Sequence, residues 1–197
     1  MFLASFAAGP WQANCYLIAP DAGRECVIID AGMEAADGVS ECSASSVLTP
    51  TAVVATHGHL DHIASASGLA DEYGIDLWVH PADRYMLTDP AAALGDDSAA
   101  MLAHYVPEPL TEPRLLRLFE EDGVELAGME FSVRHAPGHT AGCVLLGVGY
   151  PGHDQIDQIM FTGDVLFAGS IGRTDLPGGY PETMRRTLAG TVLAIPD

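Results

Sequence analysis

The chain has 197 residues, with 27 Asp and Glu against 8 basic side chains, all of them Arg, and a formal net charge of −19. Hydrophobic residues make up 48%, a globular rather than a disordered acidic composition, and the length suits one domain with a single substantial core. So acidic a chain repels phosphate backbones, which excludes nucleic-acid binding through a basic face, and no apolar stretch approaches the roughly 20 residues of a membrane-spanning helix.

In chain order, Met1 to Gly9 is apolar but short and lacks the charged opening of a secretory signal. Asn14 to Ala19 and Glu25 to Asp30 read as short strands, split by the turn Pro20-Asp21-Ala22-Gly23. The continuous apolar run Ala52 to Thr56 predicts a strand covered on both faces. Ile63 to Tyr73 predicts a helix stopped by Gly74, and Asp76 to His80 a strand closed by Pro81. From Ala82 to about Leu118 the chain reads as irregular, because Pro90, Pro107, Pro109 and Pro113 break any long helix. Val124 to Phe131, Ser132 to Ala136, Cys143 to Val148 and Gln158 to Thr162 read as strands, and Pro181 to Ala189 as the last helix. Strands alternating with helices, without repeats or linkers, predict one α/β domain. Cys15, Cys26, Cys42 and Cys143 are scattered with no CxxC pair and read as buried thiols in a reducing compartment. A cytoplasmic protein is expected.

The chemistry concentrates in Thr56-His57-Gly58-His59-Leu60-Asp61-His62, directly after the Ala52 strand. His57 and His59 are two apart, so on extended backbone both rings point to one side. Asp61 and His62 follow where the chain turns into a helix and can face a second point nearby. Neutral imidazoles and carboxylates are donors that Zn²⁺ or Fe²⁺ accept. His139, in Ala136-Pro137-Gly138-His139-Thr140, and Asp164, in Phe161-Thr162-Gly163-Asp164, also lie just past apolar strands. Either alone is an ordinary turn residue; after the His-rich segment both become expected ligands, since open sheets gather their sites outside strand ends.

These segments give the chain a resemblance to the metallo-β-lactamase superfamily, and within it to the glyoxalase II-like hydrolases. The resemblance runs from Asn14-Cys15-Tyr16-Leu17 through THGHLDH, APGHT and FTGDVLF to Arg173-Thr174-Asp175-Leu176. It implies an αβ/βα sandwich, an α/β fold of four layers in which two mixed sheets are flanked by helices, with a metal site at one edge. By position it implies His57, His59 and His139 around a first metal, Asp61 and His62 at a second, and Asp164 bridging both. The metal is expected to be zinc, as one or two ions, with iron or manganese as other occupants. Asp30 matches a family position that supports the ligands from behind, though a simple strand-end turn explains it equally well. The family usually adds a further His from a PGHG segment after a late strand. Here the sequence reaches Ala194-Ile195-Pro196-Asp197 first, so a single domain lacking its C-terminal strand and helices is expected.

The implied reaction is hydrolysis of an S-acyl thiol of the hydroxyacylglutathione type by a metal-activated hydroxide, with Asp61 orienting or deprotonating the nucleophile and a small thiol-derived molecule as substrate. The Gly172-Arg173-Thr174-Asp175 segment also resembles that of persulfide dioxygenases, which use one iron at the positions of His57, His139 and Asp164. A metal-holding binding module is the non-enzymatic alternative. Arg173 reads as a buried partner of Asp175 ahead of a substrate contact. His80 reads as a strand-end residue near the site, His104 as a surface residue and His135 as part of a strand. Trp11, Trp78 and Phe161 read as core.

Overall fold

The computed structural model describes the chain except residues 96, 97, 99–101, 103, 107, 108, 120, 121, 196 and 197. Pro107 and the last two residues, Pro196 and Asp197, therefore lie outside the described residues.

Six strands lie side by side in chain order: β1 (Phe2–Ala8), β2 (Ala13–Ala19), β3 (Glu25–Ile29), β4 (Thr49–Val54), β5 (Asp76–Val79) and β6 (Leu116–Leu118). The β1–β2 and β2–β3 pairs are antiparallel, and β3 to β6 are parallel. Parallel neighbours need a crossover. Helix α1 (Ala35–Ser46) supplies it between β3 and β4, and α2 (Leu60–Ile63) with α3 (Ala66–Tyr73) between β4 and β5. The second sheet has the order β10-β9-β8-β7, built from β7 (Gly123–Leu126), β8 (Met129–His135), β9 (Val144–Gly149) and β10 (Gln158–Phe161). All its described pairings are antiparallel, so only the first sheet is mixed. A ribbon of β11 (Leu166–Phe167) and β12 (Ser170–Ile171) follows, then helix α4 (Pro181–Thr187), which runs into a π-helical turn over Leu188–Val192.

Side-chain alternation along each strand sorts these elements into layers. Leu17, Ile28, Val53 and Leu77 point to one face of the first sheet and pack with Val39 of α1 and Leu69 of α3. Their neighbours Ile18, Val27, Ile29 and Val54 point the other way and meet Phe131, Val133, Val144 and Leu146 of the second sheet. Leu145 and Cys143 use the far side of that sheet to cover Met184 of α4. Each such Val, Leu or Ile contributes about 1.5–3 kcal/mol when fully buried. The result is the expected αβ/βα sandwich of four layers.

Several elements differ from the sequence reading, including β6 and a short helix over Ala91–Leu94 in the stretch read as irregular. β1 is a half-buried edge strand in which Phe2, Ala4 and Phe6 alternate with exposed Leu3, Ser5 and Ala7, so apolar residues fall on both faces and the period of two is weak. Helix α1 buries only Ala35, Val39 and Ser43, a four-residue period too poor in large apolar groups to stand out. The expected helix after the His-rich segment is present as two pieces, α2 and α3. The β7–β8 hairpin turns at Ala127-Gly128, where φ is 51° and 70°, rather than between Phe131 and Ser132.

Candidate metal centre

Four strand ends open on one edge of the sandwich: β3 into Asp30, β4 into Thr56 and His57, β8 into the loop with His139, and β10 into Asp164. The Thr56 carbonyl accepts a hydrogen bond from Val144 N–H at 2.8 Å, which locks the two sheets together at this edge. His59 is the residue before α2, and its carbonyl accepts from His62 N–H at 2.9 Å, so the short helix fixes how the segment turns back. Gly163 has φ of +46°, and a Cβ there would collide with Thr56 Oγ1; glycine lets the Asp164 loop come this close.

All six expected ligands come together. His57, His59 and His139 each offer a ring nitrogen within 4.8 Å of the others'. His57, His62 and Asp164 form a second threesome on the same criterion, so His57 stands between the two. Asp164 spans both: one carboxylate oxygen is 3.2 Å from His62 Nε2 and the other 3.6 Å from His139 Nε2. Asp61 stands at the rim, with Oδ2 3.7 Å from His62 Nε2.

Outer contacts fix the rings. His62 Nδ1 lies 3.0 Å from Asp30 Oδ2, and Asp30 also accepts from Thr56 N–H at 2.7 Å and Thr56 Oγ1 at 2.8 Å. Asp30, buried and held at φ of 57°, thus fixes the His62 ring and the Thr56 backbone as well as ending its strand. His139 Nδ1 lies 2.8 Å from the Arg173 carbonyl oxygen, so the Arg173 backbone orients the ring. The Arg173 side chain pairs with Asp175 at 2.7 Å as expected, but the pair is exposed, not buried.

Burial, and after it the neighbouring imidazoles, push His57 well below its ordinary value and His59 down to about 3. Both rings are therefore neutral, the form a metal needs. Burial lowers His62 as well, but Asp30 and Asp164 outweigh it and raise it. Burial pushes the Asp61 carboxyl up. It acts the same way on Asp164, but the hydrogen bond from His62 and the charges of His62 and His139 win and hold that carboxylate low.

The donor chemistry fits a divalent cation. Nε2 of His57 and of His59 are buried with no hydrogen-bond partner, an arrangement that is costly unless something else occupies those lone pairs. His59 Nδ1 and His139 Nε2 are 2.8 Å apart, nitrogen facing nitrogen. Two carboxylates beside these imidazoles complete a hard and borderline donor set.

The centre opens on a cavity of about 470 Å³. Asp61, His62 and Asp164 lie at its base, and Trp11, Tyr16, Phe161, Leu166 and Phe167 line its apolar wall. Trp11 is therefore not core: it is 42% exposed and packs against Tyr105 at 5.7 Å with the rings tilted by 57°. Phe161 is buried, as expected, while also forming part of the wall. The sequence offered one cue to the wall, the Pro10-Trp11 pair between two strands.

Residues 8–194 match the family described as the metallo-beta-lactamase superfamily, and the chain belongs to it. It is 39% identical over 199 residues to an uncharacterised protein of Mycobacterium tuberculosis, covering 100% of this chain and 87% of that one. To the hydroxyacylglutathione hydrolase GloC of Haemophilus influenzae it is 31% identical over 190 residues, covering 95% and 82%. Among solved structures it superposes on the BLEG-1 B3 metallo-beta-lactamase with a TM-score of 0.78, at 30% identity over 100% of this chain and 88% of that one. It also superposes on TTHA1623 in a di-iron-bound form with a TM-score of 0.73, at 30% identity over 100% and 87%. The protein is a metallo-hydrolase by family, with a His and Asp cluster suited to metal ions.

Proposed function

We propose that the protein hydrolyses thioesters of small thiols, of the hydroxyacylglutathione type. His57, His59 and His139 would hold one divalent ion, and Asp61, His62 and Asp164 would hold a second. Zinc suits these donors, and iron or manganese can take the same places. The observation that carries the reading is the pair of partnerless buried Nε2 atoms, on His57 and His59, grouped with His62 and Asp164, which line the adjoining cavity. The similarity to a relative named as a hydroxyacylglutathione hydrolase supports it. So does the similarity to a structure that carries two irons, for the pair of metal positions.

When bound, such ions lower the pKa of water toward neutrality and polarise a carbonyl. The chain's own residues do the rest. Asp61, at the base of the cavity, orients the attacking water and accepts its proton. Trp11, Tyr16 and Phe167 cover the substrate and exclude bulk water from it. Attack on the thioester carbonyl breaks the carbon–sulfur bond, and the sulfur leaves as thiolate. A thiolate needs little protonation, so no separate general acid is required. We place the activity in the cytoplasm; free Cys15, Cys26, Cys42 and Cys143 support a reducing compartment.

A second reading, oxygenation of a thiol persulfide at a single iron, is favoured by the two imidazoles and one carboxylate of His57, His139 and Asp164. That set leaves positions open for O₂. Replacement of His59 separates the readings, because only the hydrolase uses His59 as a ligand. In His59→Ala we expect metal affinity to fall at least about tenfold and thioester hydrolysis to drop to background. Unchanged metal content and rate in that variant contradict the hydrolase assignment.

A further inference from the structure

Between the two loops that carry the imidazoles lies Asp83, on the 3₁₀ turn Pro81–Leu87. Its side chain is 0% exposed, although carboxylates are rarely buried so deeply without firm partners. Three donors converge on it. Gly58 N–H donates to Oδ2 at 2.9 Å, Thr140 Oγ1 to the same oxygen at 2.6 Å, and Gly142 N–H to Oδ1 at 2.7 Å. Gly58 separates His57 from His59, and Thr140 directly follows His139. One carboxylate therefore ties the loop of the first two imidazoles to the loop of the third.

The glycines record the same closeness. A Cβ on Gly142 would lie 2.5 Å from Asp83 Cγ, and one on Gly58 would lie 3.0 Å from Asp83 Cβ and 2.8 Å from Met86 Sδ. The Gly of His57-Gly58-His59 and the Gly of Ala141-Gly142-Cys143 are thus spaces cut for Asp83. Hydrogen bonds to an ionised carboxylate are shorter and stronger than neutral ones, and here they hold loops rather than helices or strands.

We propose that Asp83 is a positioning residue for the metal centre, setting the spacing of His57 and His59 against His139 through the loop backbones. The inference rests on the reading of those imidazoles as a metal site. Asn at this position presents an amide N–H₂ where the carboxylate presents an oxygen, so at least one of the three donors faces another donor. Outer partners of metal ligands are worth about 10- to 100-fold in affinity.

The test measures Zn²⁺ affinity by competition with a chromophoric chelator, and the visible absorption of the Co²⁺-loaded protein as a report on ligand geometry. Asp83→Asn is expected to bind Zn²⁺ about 10- to 100-fold more weakly, with altered Co²⁺ bands. Thr140→Val removes one donor at nearly constant volume and is expected to shift both readouts in the same direction by less. Thr140→Ser keeps the hydroxyl and restores wild-type values. Leu17→Ala, in the helix-side core, lowers the melting temperature and leaves Zn²⁺ affinity unchanged. Wild-type Zn²⁺ affinity and Co²⁺ spectra in both Asp83→Asn and Thr140→Val, even with lowered melting temperatures, would overturn the proposal. Should Asp83→Asn not fold, the Thr140 pair decides alone. Absence of Zn²⁺ binding by the wild-type protein defeats the metal-site reading itself, before any variant is compared.

Discussion

At the scale of residues, the site is a set of buried polar groups that stabilise one another poorly without an occupant. His57 and His59 keep their Nε2 atoms out of water and out of hydrogen bonds, while Thr56 Oγ1 meets the His57 ring, Asp30 the His62 ring and the Arg173 carbonyl the His139 ring from behind. The clustered candidate donors were legible in the sequence because such donors come from few residue types at tight spacing. The supports were not, since Asp83 and the Arg173 carbonyl act through space and backbone from distant segments. Trp11 was misread for a related reason: an aromatic near a strand looks the same whether it faces core or cavity. Its position on the cavity wall gives Trp11→Ala an expected rise in KM of about tenfold, from the loss of roughly 1.4 kcal/mol of apolar contact, with kcat nearly unchanged. Steady-state kinetics with a thioester checks this, and an unchanged KM would remove Trp11 from the substrate wall.

At the scale of elements, strand ends decide the outcome. His80 follows β5 and His135 ends β8, so one residue from each sheet meets at the edge of the sandwich; their rings stack at 4.2 Å with 7° between planes. Burial, and then His135, pushes His80 down to about 4, below the 6.5 of a free imidazole. The unfolded chain therefore binds more protons at this position between those values, and acid favours unfolding. The stability that neutral His80 confers is complete above about pH 6.5 and drains as pH falls toward 4. In His80→Asn, which keeps an acceptor for Ala82 N–H, urea midpoints should fall less steeply over that window than in the wild type. Identical slopes would show that the stack does not carry the effect. The strands themselves were read well wherever burial on both faces made them continuously apolar, as in β3 and β4. Elements that bury little escaped because their period is weak: β1 carries apolar residues on both faces, and α1 buries only Ala35, Val39 and Ser43.

For the molecule as a whole, the charge of −19 and the chemistry belong to different regions. Asp30 and Asp83 are buried, and Asp61 and Asp164 half-buried, at the edge where the imidazoles gather. The two-sheet layout explains why: strand ends of both sheets open together at one edge, and the carboxylates gather there from four segments far apart in sequence. Among the described residues no helix is long and apolar enough to cross a membrane. The central claim is a metal centre that hydrolyses thioesters. Elemental analysis of the purified protein, alongside an assay with an S-(2-hydroxyacyl)glutathione, tests it most directly. The expected result is about one to two equivalents of zinc, iron or manganese, with hydrolysis that a chelator abolishes and added metal restores. About one equivalent of iron, with O₂ uptake on a thiol persulfide and no thioester cleavage, would contradict it.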